Sequence, residues 1–182
     1  MKRIFDSLNL LLILGMLGFA FWAWPRLPET IPTHFGFDGQ ADAWSERSFQ
    51  SWFMLPGIAI LMVLGLGWLR QMFFRRPDWV KLPDRRRVSD LPEVARPPVL
   101  EMMSGFMALV QTEMLTIFAL IEYGSYRGAM GESSQGVMIL VLIVALLSSP
   151  FFMVVFFLRL QGALAKGKKL EQAAQAELGD GS

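Results

Sequence analysis

Apolar residues dominate four stretches of the chain, Ser7–Trp24, Trp52–Leu69, Gly105–Ile121 and Val137–Leu158, and polar residues collect between them. A bilayer core about 30 Å thick needs roughly 20 helical residues. The first three stretches reach that length once their flanks are counted, and the fourth reaches it alone. Lipid leaves the backbone only two solutions, helices and closed barrels, and none of these stretches alternates as a barrel strand does. The pattern therefore predicts an all-α integral membrane protein with four transmembrane helices. It divides the chain into a first hairpin (1–74), a cytoplasmic connector (75–104), a second hairpin (105–160) and a tail (161–182). The start, with Lys2 and Arg3, resembles a secretion signal. However, "FWAWP" puts bulky residues where a peptidase needs small ones, so the segment is read as an uncleaved helix with Trp22 and Trp24 at the interface. Gly15, Gly18, Gly57, Gly65 and Gly67 are expected to mark close helix–helix approaches, and Pro150 to kink the fourth helix.

Composition sharpens this picture. The chain is 53% hydrophobic with mean hydropathy +0.41, above the usual apolar share of soluble domains. It has no cysteine, which excludes disulfides and thiolate metal sites. No basic run is interleaved with aromatics, so nucleic acid is not an expected partner.

Charge is nearly balanced overall, at +1, but unevenly placed. Lys and Arg number two at the N-terminus, eight from Arg70 to Arg96 and four from Arg159 onward, against two in the first loop and one in the last. The positive-inside rule then predicts both termini in the cytoplasm and the loop between helices 1 and 2 outside. The connector carries five prolines in "RRPDWVKLPDRRRVSDLPEVARPPV", which favour turns and extended segments. Arg85, Arg86 and Arg87 within it suit anionic head groups. The tail reads as a short solvated helix.

The outward loop, "LPETIPTHFGFDGQADAWSER", holds the single histidine, His34, followed at every fourth position by Asp38, Asp42 and Glu46. That spacing suits one helical face, but Pro28, Pro32, Gly36 and Gly39 argue against a helix. "FDGQ" is a turn signal, since Asp-Gly tolerates positive φ and the Asp side chain bonds the nearby backbone. The loop is expected to be compact and strand-turn-like, resting on the helix ends, with Phe35, Phe37 and Trp44 on the membrane surface.

Ten residues here follow the pattern L-P-x-x-I-P-x-H-F/W-x-x-x-G-x-x-D-x-W/Y-x-x-K/R: Leu27, Pro28, Ile31, Pro32, His34, Phe35, Gly39, Asp42, Trp44 and Arg47. The segment from about residue 5 to 70 resembles a bacterial membrane-domain family of unknown function, the domain that forms the N-terminal part of SdpI-like immunity proteins. The resemblance implies a recognition, immunity or signalling role in the inner membrane. It also implies that His34, Gly39, Asp42, Trp44 and Arg47 are the functional loop residues.

Other chemistry is thinly represented. His34, Asp38 and Asp42 suit a borderline or hard cation, but their spacing matches no established metal loop. Thr33 and Ser45 lie in no nucleophile elbow, so neither enzymatic activity nor a cofactor is expected. A structural reading of the loop pairs His34 with Asp42 or a backbone carbonyl, and Arg47 with Asp42. Glu113, near the middle of the third apolar stretch, is costly in lipid and should face the bundle. It is read either as the working acid of a proton-sensing or transporter-associated module, or as a group hydrogen-bonded to Asn9 or Ser148. Glu122, nearer the loop end of that helix, is read as reaching the loop or as interfacial.

Overall fold

The computed structural model describes residues 2–83 and 85–180. Four long helices carry the fold: α1 (Lys2–Ala23), α2 (Phe49–Arg75), α3 (Arg96–Ala129) and α4 (Gln135–Asp180). All four are long and apolar enough to cross a membrane. α1 and α2 are joined by a two-stranded antiparallel hairpin, β1 (Thr30–Phe35) and β2 (Ala41–Glu46). α3 is the hub, since α1, α2, α4 and β1 all pack on it. Large apolar side chains such as Leu11, Leu61 and Leu146 stay 65%, 71% and 72% exposed on the outside of the bundle. That is the inverse of a water-soluble helical bundle and the expected surface for lipid contact.

A small polar network at mid-bundle fixes how the first three helices meet. Asn9 Nδ2 donates to the Ala108 carbonyl at 3.2 Å and to Gln111 Oε1 at 3.3 Å. Gln111 Nε2 donates to the Val63 carbonyl at 3.2 Å, and Thr112 Oγ1 to Asn9 Oδ1 at 2.6 Å. One residue of α1 and two of α3 thereby reach the backbone of α2. Lipid is as apolar as leucine, so packing and interhelical hydrogen bonds of this kind replace the hydrophobic effect as the source of helix pairing. Two apolar layers flank the network on its hairpin side. Met16, Ala59 and Leu115 form the nearer one, and Ala20, Ala23, Leu27, Ile31 and Trp52 the farther. An ion pair of 2.7 Å between Arg70 and Asp6 ties α2 to α1 at the opposite end.

Three expectations need correction. The prolines of the connector do interrupt helices, but the segment is a folded cap rather than a plain link. Val88 N donates to the Val80 carbonyl at 2.8 Å and Leu82 N to the Arg86 carbonyl at 2.7 Å. Val80, Leu82, Val88, Leu91 and Ala95 bury themselves against Val99, Leu100 and Leu160. α3 consequently starts at Arg96, with Pro97 and Pro98 in its first turn, where the missing N–H groups would be unpaired anyway.

The tail, second, is no separate helix: α4 runs on into it as far as Asp180. Its continuation has something to pack on, because a Cβ at Gly167 would stand 2.9 Å from Ala95 Cβ.

The glycines are the third correction. Gly15, Gly18, Gly57, Gly65 and Gly67 all face open space rather than a neighbouring helix. The tight approaches to other elements lie elsewhere, at Gly39, Gly124, Gly128 and Gly167. Beyond the first turn of a helix, Pro56 lies inside α2 and Pro150 inside α4.

Gln111 is 1% exposed, and Gln111→Ala removes its bonds to both α1 and α2. Interhelical hydrogen bonds in membranes average about 0.6 kcal/mol, so a loss of roughly 1 kcal/mol is expected. Reversible denaturation in mixed micelles measures it; an unchanged midpoint would contradict the role given to the network.

Candidate functional site

The hairpin is built by its sequence. Ile31 and Pro32 turn inward and are buried, while Thr33 and His34 are exposed. The register pairs Pro32 with Trp44 and His34 with Ala43, so Thr33 is passed over as an irregularity in the ladder. Such an extra residue re-aims the side chains that follow, and it lets Pro32 and His34 differ in environment only two positions apart.

The turn expected at "FDGQ" is present. Gly39 N donates to the Gly36 carbonyl at 2.9 Å, and Gln40 N donates to Asp38 Oδ1 at 3.1 Å. Gly39 has φ +76°, a conformation glycine takes without penalty.

The turn does not hang free. Gly39 is buried against the first turn of α4, where a Cβ would meet Gln135 O at 2.9 Å and Gln135 Cα at 3.0 Å. Ser134 Oγ donates to the Gly39 carbonyl at 3.2 Å. β1 rests on α3 at Gly128, whose absent Cβ leaves room for Pro32 Cγ at 3.3 Å and Phe35 Cε1 at 3.7 Å. The hairpin thus lies across the ends of α3 and α4. Ser134 and Gln135 are part of the site and went unnoticed in the sequence; "ESSQG", a serine pair opening a helix, was the available signal.

The other end is held by Arg47. Its Nη1 donates to the Leu27 carbonyl at 2.6 Å, its guanidinium stands 5.3 Å from the Trp24 ring centroid, and its backbone N donates to the Glu29 carbonyl at 2.7 Å. Arg47 is therefore not the partner of Asp42. That partner is His34, with Nδ1 and Asp42 Oδ1 2.5 Å apart. The pair is open to solvent, with side chains 69% and 53% exposed, and exposed pairs contribute about 1 kcal/mol at most. A capping box between Ser48 and Ser51 then starts α2, satisfying two of the unpaired N–H groups at its N-terminus.

The aromatic residues separate into two groups. Phe35 is half-buried on Gly128. Phe37, at the turn, is 95% exposed and Trp44 51% exposed. Asp38, Asp42 and Glu46 are also exposed. Among the described residues no three His, Cys, Asp or Glu side chains gather as metal ligands would, and the Asp38 carboxylate is turned to the backbone N–H of Gln40.

The intramembrane acids lie apart from the hairpin motif. Glu113 accepts a hydrogen bond from Ser148 Oγ of α4, one of the two partners anticipated for it. Glu122 makes no hydrogen bond to the loop among the described residues. It is 3% exposed among α3's packing neighbours, and its Oε1 has no hydrogen-bond partner among the described residues.

Residues 11–60 match the family model described as "Domain of unknown function (DUF1648)". The match runs from mid-α1 through the hairpin into α2 and contains every residue of the loop motif. No curated protein and no solved structure matches the chain.

Gly39→Ala puts a side chain into the Gln135 contact and an L-residue at positive φ, which alone costs about 1–2 kcal/mol. Amide exchange of residues 36–40 should rise sharply. His34→Ala, which removes only an exposed pair, should leave it near wild type. Equal protection in both variants would contradict the docking described here.

Proposed function

We propose that the chain is a multi-pass protein of the bacterial cytoplasmic membrane that recognises a protein or peptide through its β1–β2 hairpin. One observation carries this reading. Phe37 and Trp44 are 95% and 51% exposed on an element whose other residues, Gly39, Pro32 and Arg47, are spent on holding it to the bundle. A seal over the helix ends would turn its aromatics inward, as Phe35 does. Aromatic side chains held on a braced surface are the residue type that carries most binding energy at interfaces. The exposed acids Asp38 and Glu46 favour a partner with basic residues beside its apolar ones.

The excess of Lys and Arg at the terminal end and in the connector supports an orientation with both termini inside and the hairpin outside. The resemblance to the N-terminal part of SdpI-like proteins supports an immunity- or signalling-type role over an enzymatic one. Proton sensing at Glu113 draws less support, because that carboxyl has a hydroxyl partner on α4, which suits a tie between two helices.

The test is quantitative mass spectrometry of proteins that co-purify from native membranes in mild detergent. Wild type is compared with a Phe37→Ser, Trp44→Ser double variant of equal abundance and melting point. Loss of two central aromatic contacts should reduce a specific partner by roughly tenfold or more. An identical profile in the two samples would overturn the recognition reading.

A further inference from the structure

At the end of the bundle away from the hairpin, a cleft of about 910 Å³ opens between α3 and α4, with Phe5 of α1 and Phe74 of α2 at its margin. Its walls are apolar, and Phe106 of α3 meets Phe156 of α4 in its lining, with ring centroids 4.7 Å apart and the rings tilted by 49°. One glycine on each wall, Gly105 and Gly162, keeps the space open, since a Cβ at either would meet nothing within 4 Å.

The mouth has a different character. Arg159 and Lys166 line it from α4, seven residues apart and so on one helical face, and Glu101 lines it from α3. All three are exposed, and among the described residues neither cation forms an ion pair. Arg159 directly follows the apolar run of α4, the position at which a basic side chain suits the head-group region.

We propose that this cleft is a binding site for one monoanionic phospholipid. Its phosphate sits between Arg159 and Lys166, and an acyl chain lies along Phe106 and Phe156. Two features on the page select this occupant. The groove needs an apolar body, and the mouth needs a negative head, because its two cations and one acid leave a single positive charge uncompensated. Glu101 disfavours a dianionic phosphomonoester by repulsion. Basic clefts between transmembrane helices are established lipid head-group sites in general, and a chain seated here would join the continuations of α3 and α4 where the connector cap begins. The inference is independent of the hairpin's role and of which side of the membrane this end faces.

The full chain, purified in mild detergent, is equilibrated with equal amounts of phosphatidylglycerol and phosphatidylcholine of identical acyl chains, and native mass spectrometry counts the retained lipid. Wild type should hold phosphatidylglycerol about tenfold over phosphatidylcholine, as expected for two cations near the head group. Arg159→Gln with Lys166→Gln should erase that preference. Gly162→Leu, which fills the groove from a position with room for the side chain and leaves every charge in place, should lower retention of phosphatidylglycerol to the phosphatidylcholine level. Equal retention of the two lipids by wild type would overturn the proposal. So would a preference that survives the double variant, since the selecting charges would then lie elsewhere, as at Arg85–Arg87, or one that survives Gly162→Leu, since the lipid would then not need the groove. Displacement of phosphatidylglycerol by inorganic phosphate in excess would also overturn it, by showing a site for the head alone.

Discussion

The contact between Gly39 and Gln135 is the constraint on which the hairpin's arrangement depends. Two segments nearly a hundred residues apart touch backbone to backbone because one of them has no side chain. The same glycine supplies the positive φ that closes the turn, so a single residue sets both the shape of the hairpin and its seat on α4. Given that seat, β1 falls across Gly128 of α3, Phe35 is drawn under, and Phe37 is left outside. Arg47 performs the matching task at the open end, where its guanidinium donates to the Leu27 carbonyl just past α1. Fixed at both ends, the hairpin behaves as an extension of the helix bundle and presents its aromatics in one orientation. Preorganisation of this kind reduces the ordering cost that a flexible loop would incur on binding.

Beneath it, the bundle is specified by few groups. Apolar side chains face outward along most of its length, and a lipid solvent does not drive them together. Selection of neighbours falls to the Asn9–Gln111–Thr112 network, to the Arg70–Asp6 pair and to Ser148 with Glu113. Each joins a different pair or trio of helices, and α3 takes part in two of the three. This explains why the most polar helix is also the central one.

The helices and the turn were legible in the sequence because each rests on local chemistry: uninterrupted apolar runs for the first, Asp-Gly backbone freedom for the second. The His34–Asp42 pairing was legible too, being eight residues apart in one short loop. Long-range contacts were not. Glycines in α1 and α2 look like packing surfaces by type, yet they face open space, whereas Gly39, Gly124, Gly128 and Gly167 are pressed against neighbours. Nothing local distinguishes the two sets. The connector was misjudged for the same reason. Its prolines report the absence of helix correctly, but the burial of Val80, Val88 and Leu160 in one cluster depends on α4 passing overhead. Charge alone offers Asp42 as a partner for Arg47, while the structure gives it to the Leu27 carbonyl in the segment that leaves α1.

On the proposed function, the hairpin is a fixed surface for a specific protein partner, with Phe37 at its contact face. The most direct measurement replaces Phe37 with a photo-reactive phenylalanine analogue, in the full chain in intact native cells, with the same analogue at lipid-facing Leu61 for comparison. A discrete protein adduct is expected on irradiation from position 37 and none from position 61. Efficient lipid labelling at both positions, with no protein adduct from a correctly folded chain, would contradict it.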